Sequence, residues 1–152
     1  MLYKSSLKTP IGTLGLLANK ENLLKLSFKG LKDITEEAKE DKSRFKSVFK
    51  QLEEYFAGDR REFSVNYLID TSSFAAKVYR EMVKIPYGAT LSYSQLAQKS
   101  GRKLAYRAVG TVCGKNPLPL IIPCHRVTAV NGLGGFGGGL DTKRFLLNLE
   151  TN

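Results

Sequence analysis

The chain has 152 residues, 42% of them hydrophobic and 25% charged, with 24 Lys and Arg against 14 Asp and Glu. A formal charge of +10 points to a polyanionic partner such as nucleic acid. No apolar run reaches membrane-span length, and Met1-Leu2-Tyr3-Lys4-Ser5-Ser6 has no signal-peptide core, so an intracellular, cytoplasmic protein is expected. Two cysteines and one histidine exclude a disulfide framework and a four-ligand structural zinc site, which leaves the thiols available for chemistry.

The first third reads as a small antiparallel sheet. Strands are predicted from Leu2 to Leu7, from Leu14 to Ala18, and over the alternating Leu24, Leu26 and Phe28. A polar stretch from Lys32 to Ser43 follows. Phe45, Val48, Phe49, Leu52, Tyr55 and Phe56 then recur at helical spacing up to Gly58, and Phe63, Val65, Tyr67 and Ile69 alternate as a further strand. Nothing in residues 1–70 has catalytic character, and the segment is expected to be a scaffold domain.

Asp70-Thr71-Ser72-Ser73 is the expected boundary, able to cap the next helix, with a second domain over 71–152. Phe74, Val78, Met82 and Ile85 have helical spacing, and Pro86-Tyr87-Gly88 ends that run. Ser92-Tyr93-Ser94-Gln95 has capping-box spacing for a short helix ending at Ser100-Gly101. A second helix is predicted from about Leu104 to Cys113, closed by Asn116-Pro117. Two short helices across a glycine turn form a helix-turn-helix pattern. Its second helix carries Arg107 among Ala and Gly, with Arg102 and Lys103 at its start, where phosphates meet basic side chains and backbone amides.

Leu120-Ile121-Ile122-Pro123-Cys124-His125-Arg126-Val127 sets a cysteine beside the only histidine. A neighbouring imidazole or positive charge is expected to lower the thiol pKa toward thiolate, the nucleophilic form. The apolar run predicts the end of a buried strand or a tight, partly dry turn. Asn131-Gly132 marks a turn, and the glycine-dense stretch to Gly139 matches neither a P-loop nor a dinucleotide fingerprint. It is expected to be a loop tied down by Phe136 and Leu140, whose backbone approaches a flat ligand closely. In the last helix, predicted from Thr142 to Glu150, an acid at the C-terminal end opposes the helix dipole, so Glu150 is expected to have a specific partner such as His125.

From Phe74 to Glu150 the chain resembles the O6-alkylguanine-DNA alkyltransferases. The resemblance rests on Pro86-Tyr87-Gly88, Ser92-Tyr93, Arg107-Ala108-Val109-Gly110, Asn116-Pro117, Ile122-Pro123-Cys124-His125-Arg126-Val127 and Gly138-Gly139-Leu140. It implies an α+β protein: an N-terminal sheet-plus-helix, RNase H-like domain and a mainly helical, winged-helix-like C-terminal domain. It also implies stoichiometric, irreversible transfer of an alkyl group from O6-alkylguanine in double-stranded DNA to Cys124, by a monomer without cofactor or metal. His125 would take the thiol proton through a water, with Glu150 fixing the imidazole; Tyr93 would donate to guanine N3 and help rotate the nucleotide, and Asn116 would brace the turn. Arg107 would fill the gap left by the flipped base, and Tyr93, Ser94, Arg102 and Arg107 would contact DNA. Cys124, Val127, Gly137 and Lys143 would surround the base. The chain departs from the family in having Phe136-Gly137 where Tyr-Ser is frequent, and it lacks the ligands of the zinc-binding members. A lesion-binding module without chemistry and a Cys-His-Glu hydrolase are the alternatives; the first does not need Cys124, and the second leaves the basic charge and Arg107 unexplained.

Overall fold

A computed structural model describes residues 1–69 and 72–152, so the Asp70-Thr71 part of the expected boundary lies outside the described residues. The chain is a mixed α/β protein that divides into two compact units, Met1–Ile69 and Asp70–Asn152. Basic charge is concentrated in the second: 70–152 contains 11 of the 24 Lys and Arg but only 4 of the 14 Asp and Glu.

In the first unit, β1 (Tyr3–Thr9) and β2 (Gly12–Ala18) form an antiparallel hairpin, with Tyr3 opposite Ala18 and Thr9 opposite Gly12. Gly12 has φ +106°, a conformation that glycine adopts without steric cost and that closes the two-residue turn. β3 (Leu23–Ser27) pairs antiparallel with β2, with an irregularity at Leu17/Ala18. Register therefore shifts: Leu23, Leu26 and Ser27 are buried, in place of a strict 24-26-28 alternation. β4 (Lys39–Glu40), within the stretch that sequence left open, pairs parallel with β1, so the sheet is mixed rather than wholly antiparallel, in the order β3-β2-β1-β4.

Helix α1 (Lys46–Phe56) buries Val48, Phe49, Leu52 and Tyr55 on one stripe, and Phe45 stacks on Phe49 with centroids 5.6 Å apart. The strand expected over 63–69 is reduced to one bridge between Tyr67 and Leu23. The reason lies in α1. Gln51 donates from Nε2 to the Ser64 carbonyl at 3.0 Å and accepts from the Ser64 N–H at 2.8 Å, so a side chain takes the backbone groups a ladder would use.

In the second unit, α2 (Ser73–Val83) is capped by Ser72, whose hydroxyl accepts from the Ala75 N–H at 3.3 Å. Val78, Met82 and Ile85 are buried. The two-residue strands β5 (Leu91–Ser92) and β6 (Val127–Thr128) pair in parallel. Helix α3 (Tyr93–Lys99) opens on a complete capping box: the Ser92 hydroxyl accepts from the Gln95 N–H at 3.1 Å, and Gln95 Oε1 accepts from the Ser92 N–H at 2.9 Å. Gly101, at φ +86°, turns the chain toward α4 (Tyr106–Gly114). This helix begins later than predicted, leaving Leu104 85% exposed in the turn. Helix α5 (Leu140–Thr151) begins two residues earlier than predicted. Leu96, Val109, Leu118, Leu120, Ile122, Val127 and Leu146 complete the core beneath the cysteine.

Candidate active site

The apolar run before Cys124 is buried but is not a strand. Among the described residues its only strand-like pairing is a bridge between Pro119 and Ile122, and Leu120 has φ +75°, a conformation costly for a residue with a Cβ. Asn116 holds this bend: its Nδ2 donates to the Ile122 carbonyl at 2.8 Å, while its Oδ1 accepts from the Leu118 N–H at 3.0 Å. The Cys124 N–H donates to the Ile122 carbonyl at 2.8 Å, and Cys124–Arg126 form one 3-10 turn. Cys124 is thereby fixed at the wall of a cavity of about 370 Å³, lined also by Tyr93, Tyr106, Gly110, Cys113, Gly114, Gly135, Phe136 and Gly137.

The expectation of a lowered thiol pKa is corrected. Burial pushes the Cys124 thiol up to about 11 from its ordinary 9.0, against the opposing pull of the Asn116 amide and the Lys143 charge. Neither neighbour in sequence supplies the expected positive charge. His125 is buried, and burial lowers its pKa below 6.5, so the ring is neutral at physiological pH. The Arg126 guanidinium is committed elsewhere, donating from Nε to Glu150 Oε1 at 2.7 Å, from Nη2 to Oε2 at 3.0 Å, and from Nη1 to the Ile85 carbonyl at 2.7 Å.

Glu150 joins these residues. Its Oε2 lies 2.7 Å from His125 Nε2 within a buried cluster. A carboxylate only accepts, so a neutral ring facing it carries its proton on Nε2 and leaves Nδ1 as an acceptor. Nδ1 has no hydrogen-bonding partner among the described residues. The arrangement can thus accept a proton at Nδ1, beside the thiol in sequence, while Glu150 stabilises the resulting imidazolium. Sequence reasoning missed Arg126 as the second partner of Glu150; its place one residue after His125 was the available signal.

The remaining expected residues fall into three groups. Tyr93, at the start of α3, lines the cavity, and its hydroxyl donates to the Gly135 carbonyl at 3.4 Å. Burial raises its pKa, which keeps the phenol protonated and able to donate. Gly137 lines the cavity with open space where a Cβ would stand. Val127 does not line it: the residue is buried in β6, and its carbonyl accepts from Lys143 Nζ at 2.7 Å, leaving one lone pair for a ligand.

Lys143 requires a correction. It is fully buried and its ammonium donates to the carbonyls of Val127, Leu133 and Gly135, so its three protons are spent on backbone rather than on a base. Lys143, not the 42%-exposed Leu140, ties the glycine-rich loop to α5. The loop also meets Tyr93: Gly134 has φ +74°, and a Cβ there would stand 2.8 Å from the Tyr93 ring.

Arg107, in the first turn of α4, is exposed, and its guanidinium has no ion pair among the described residues. Arg102 and Ser94 are also exposed, Arg102 with its guanidinium 4.3 Å from the Phe74 ring centroid. These three side chains stand outside the cavity on the helix-turn-helix, where they can meet a polyanion. Among the described residues no group of three or more His, Cys, Asp and Glu could hold a metal ion, and no helix is long and apolar enough to cross a membrane.

Comparison with known proteins gives one answer over both units. The family models for 6-O-methylguanine DNA methyltransferase match residues 2–68 as its ribonuclease-like domain and residues 73–152 as its DNA binding domain. A methylated-DNA–protein-cysteine methyltransferase of Methanosarcina barkeri is 40% identical over 155 residues, covering 99% of this chain and 98% of that protein. One of the same name from Metallosphaera sedula is 38% identical, covering 99% and 94%. The crystal structure of Mycobacterium tuberculosis OGT in complex with DNA superposes with a TM-score of 0.92 at 37% identity, covering 98% of this chain and 92% of that one.

Proposed function

The chain belongs to the 6-O-methylguanine DNA methyltransferase family, and on that premise we propose that it repairs DNA by moving the alkyl group of O6-alkylguanine irreversibly onto its own Cys124. The observation that carries this reading is a buried thiol on a cavity wall, next to a neutral histidine whose far nitrogen lies 2.7 Å from a buried carboxylate. Cys124 Sγ attacks the alkyl carbon, the bond from that carbon to O6 breaks, and the thiol proton leaves through His125 Nδ1 by way of a water. The departing guanine carries the electron pair as an anion, and the protonated Tyr93 hydroxyl gives up its 3.4 Å bond to the Gly135 carbonyl to donate to it at N3. Asn116 holds the bend that presents Cys124. Gly137 and Cys124 border the base, and Val127 and Lys143 act on it only by fixing the loop.

Residues 71–152 are the DNA-binding and alkyl-acceptor domain, and 1–70 its scaffold. Ser94, Arg102 and Arg107 engage the duplex, and Arg107 occupies the gap left by the flipped nucleotide. The protein acts as a cytoplasmic monomer. Each molecule reacts once, because the cysteine thiolate is a poor leaving group from the neutral alkyl thioether that the transfer forms.

The test is intact mass after incubation with duplex DNA bearing one O6-methylguanine, followed by peptide mapping. A single methyl on Cys124, saturating at one per protein, is expected. Lesion-selective binding without an adduct would make the protein a damage marker instead, and neither adduct nor binding would overturn the reading.

A further inference from the structure

The alkyl-transfer chemistry uses one thiol, but two cysteines line the cavity. Cys113 sits on the last turn of α4 and Cys124 on the 3-10 turn, and both are free thiols. Each is protonated at neutral pH: burial pushes Cys113 up to about 12 and Cys124 up to about 11. The Cys124 charge contributes to the shift at Cys113, as expected of thiols within electrostatic reach of each other. The other side chains bordering the cavity are aromatic, from Tyr93, Tyr106 and Phe136, with glycines between them.

We propose that Cys113 and Cys124 together form a two-thiol site for trivalent organoarsenicals, with arsenic bridging the sulfurs and its organic group lying among Tyr93, Tyr106 and Phe136. An aryl-arsenic oxide has two exchangeable positions and one fixed carbon substituent, which matches two thiols and an aromatic-walled space. The reaction balances without a redox partner. Two arsenic–sulfur bonds replace the arsenic–oxygen double bond, both thiol protons leave with the oxygen as one water, and arsenic stays trivalent. The site stands independently of alkyl transfer, since it requires only the two sulfurs and the space between them.

The probe is phenylarsine oxide, titrated into the full chain and read by intact mass and by iodoacetamide labelling of the unprotected thiols. One phenylarsenic per protein is expected, protecting both cysteines at once and removable by 2,3-dimercaptopropanol but not by an equal concentration of a monothiol. Cys113→Ser and Cys124→Ser should each raise the concentration for half-maximal adduct by about 100-fold, the loss of an intramolecular second contact, and should make the residual adduct reversible by monothiol. Labelling of the unsubstituted chain gives a check that needs no variant to fold. Protection of one cysteine only, two arsenicals per protein, or an unchanged titration in Cys113→Ser would each overturn the proposal.

Discussion

Glu150→Gln separates the structural from the chemical work of the buried cluster. The carboxylate accepts from Arg126 Nε and Nη2 and faces His125 Nε2, at 2.7, 3.0 and 2.7 Å, and all three side chains are buried. Glutamine keeps the shape but removes the charge, leaving the Arg126 guanidinium without its counter-ion; losing one partner of a buried pair costs about 3–5 kcal/mol. The amide oxygen still accepts one Arg126 bond, so the lower figure applies, and at about 2–4 °C per kcal/mol the melting temperature should fall by roughly 6–12 °C. With its oxygen toward Arg126 Nε, the amide turns its NH2 toward His125, which then carries its proton on Nδ1 and loses its acceptor beside the thiol. Single-turnover transfer from an O6-methylguanine duplex, measured by quench flow below the variant's transition, should slow by roughly 10²–10⁴, the usual worth of a general base. A folded variant reacting at the parental rate would refute Glu150 as the group that sets the imidazole. An unchanged melting temperature would refute the ion-pair argument separately.

Arg107→Ala should slow repair of duplex DNA by ~10-fold or more, because unstacking a base costs a few kcal/mol. Its reaction with free O6-methylguanine should be unchanged, and equal losses on the two substrates would rule out a gap-filling role. Gly134→Ala adds about 1–2 kcal/mol of backbone strain at φ +74° and drives a methyl to 2.8 Å from Tyr93. A lower melting temperature together with slower transfer is expected, and a parental rate would show that Tyr93 need not hold its position. Two pH windows follow from the shifted groups. His125, lowered by burial, binds its proton more readily when unfolded, so stability should decline as pH falls below 6.5 through its folded pKa. Cys124, raised from 9.0 to about 11, holds its proton more tightly when folded, so stability should decline again as pH rises through that interval, as chemical denaturation across pH would record. The transfer rate should be flat through neutral pH, and a rise centred on the ordinary thiol value of 9.0 would indicate that the reacting thiol ionises normally.

Local features were legible in the sequence wherever a short-range pattern decided them. The Ser92–Gln95 capping box, the Phe45–Tyr55 stripe and the α2 spacing need only side chains a turn apart, and each forms as read. The misplaced acid at the end of α5 announced a partner, and Glu150 lies against both His125 and Arg126. Features set by distant packing were not legible. The strand over 63–69 yields to Gln51, 13 residues before Ser64, and parallel β4 depends on where a polar loop returns. Lys143 looked like a charge near a base until three carbonyls from the loop were seen to occupy it. The sign of the thiol shift also escaped, because adjacency to His125 and Arg126 implies proximity of charge but not whether the charge is neutralised or the site is dry.

That dryness shapes the chemistry. An exposed low-pKa thiolate would be the stronger nucleophile at rest, but it would also meet every electrophile and oxidant in solution. A protein that reacts once cannot recover from such a loss. With Cys124 protonated up to about pH 11 and only 8% exposed, the thiolate is scarce until a substrate occupies the cavity and a proton path through His125 is used. The alkyl group on O6 is itself neutral, so the site gains little by storing negative charge in advance. In the proposed mechanism it needs a proton acceptor aligned in place, the part given to His125 held by Glu150, and a donor for the departing anion, the part given to the protonated Tyr93. On that mechanism, selectivity for alkylated guanine follows from coupling thiol activation to occupancy, with the buried Arg126–Glu150–His125 cluster keeping the coupling rigid.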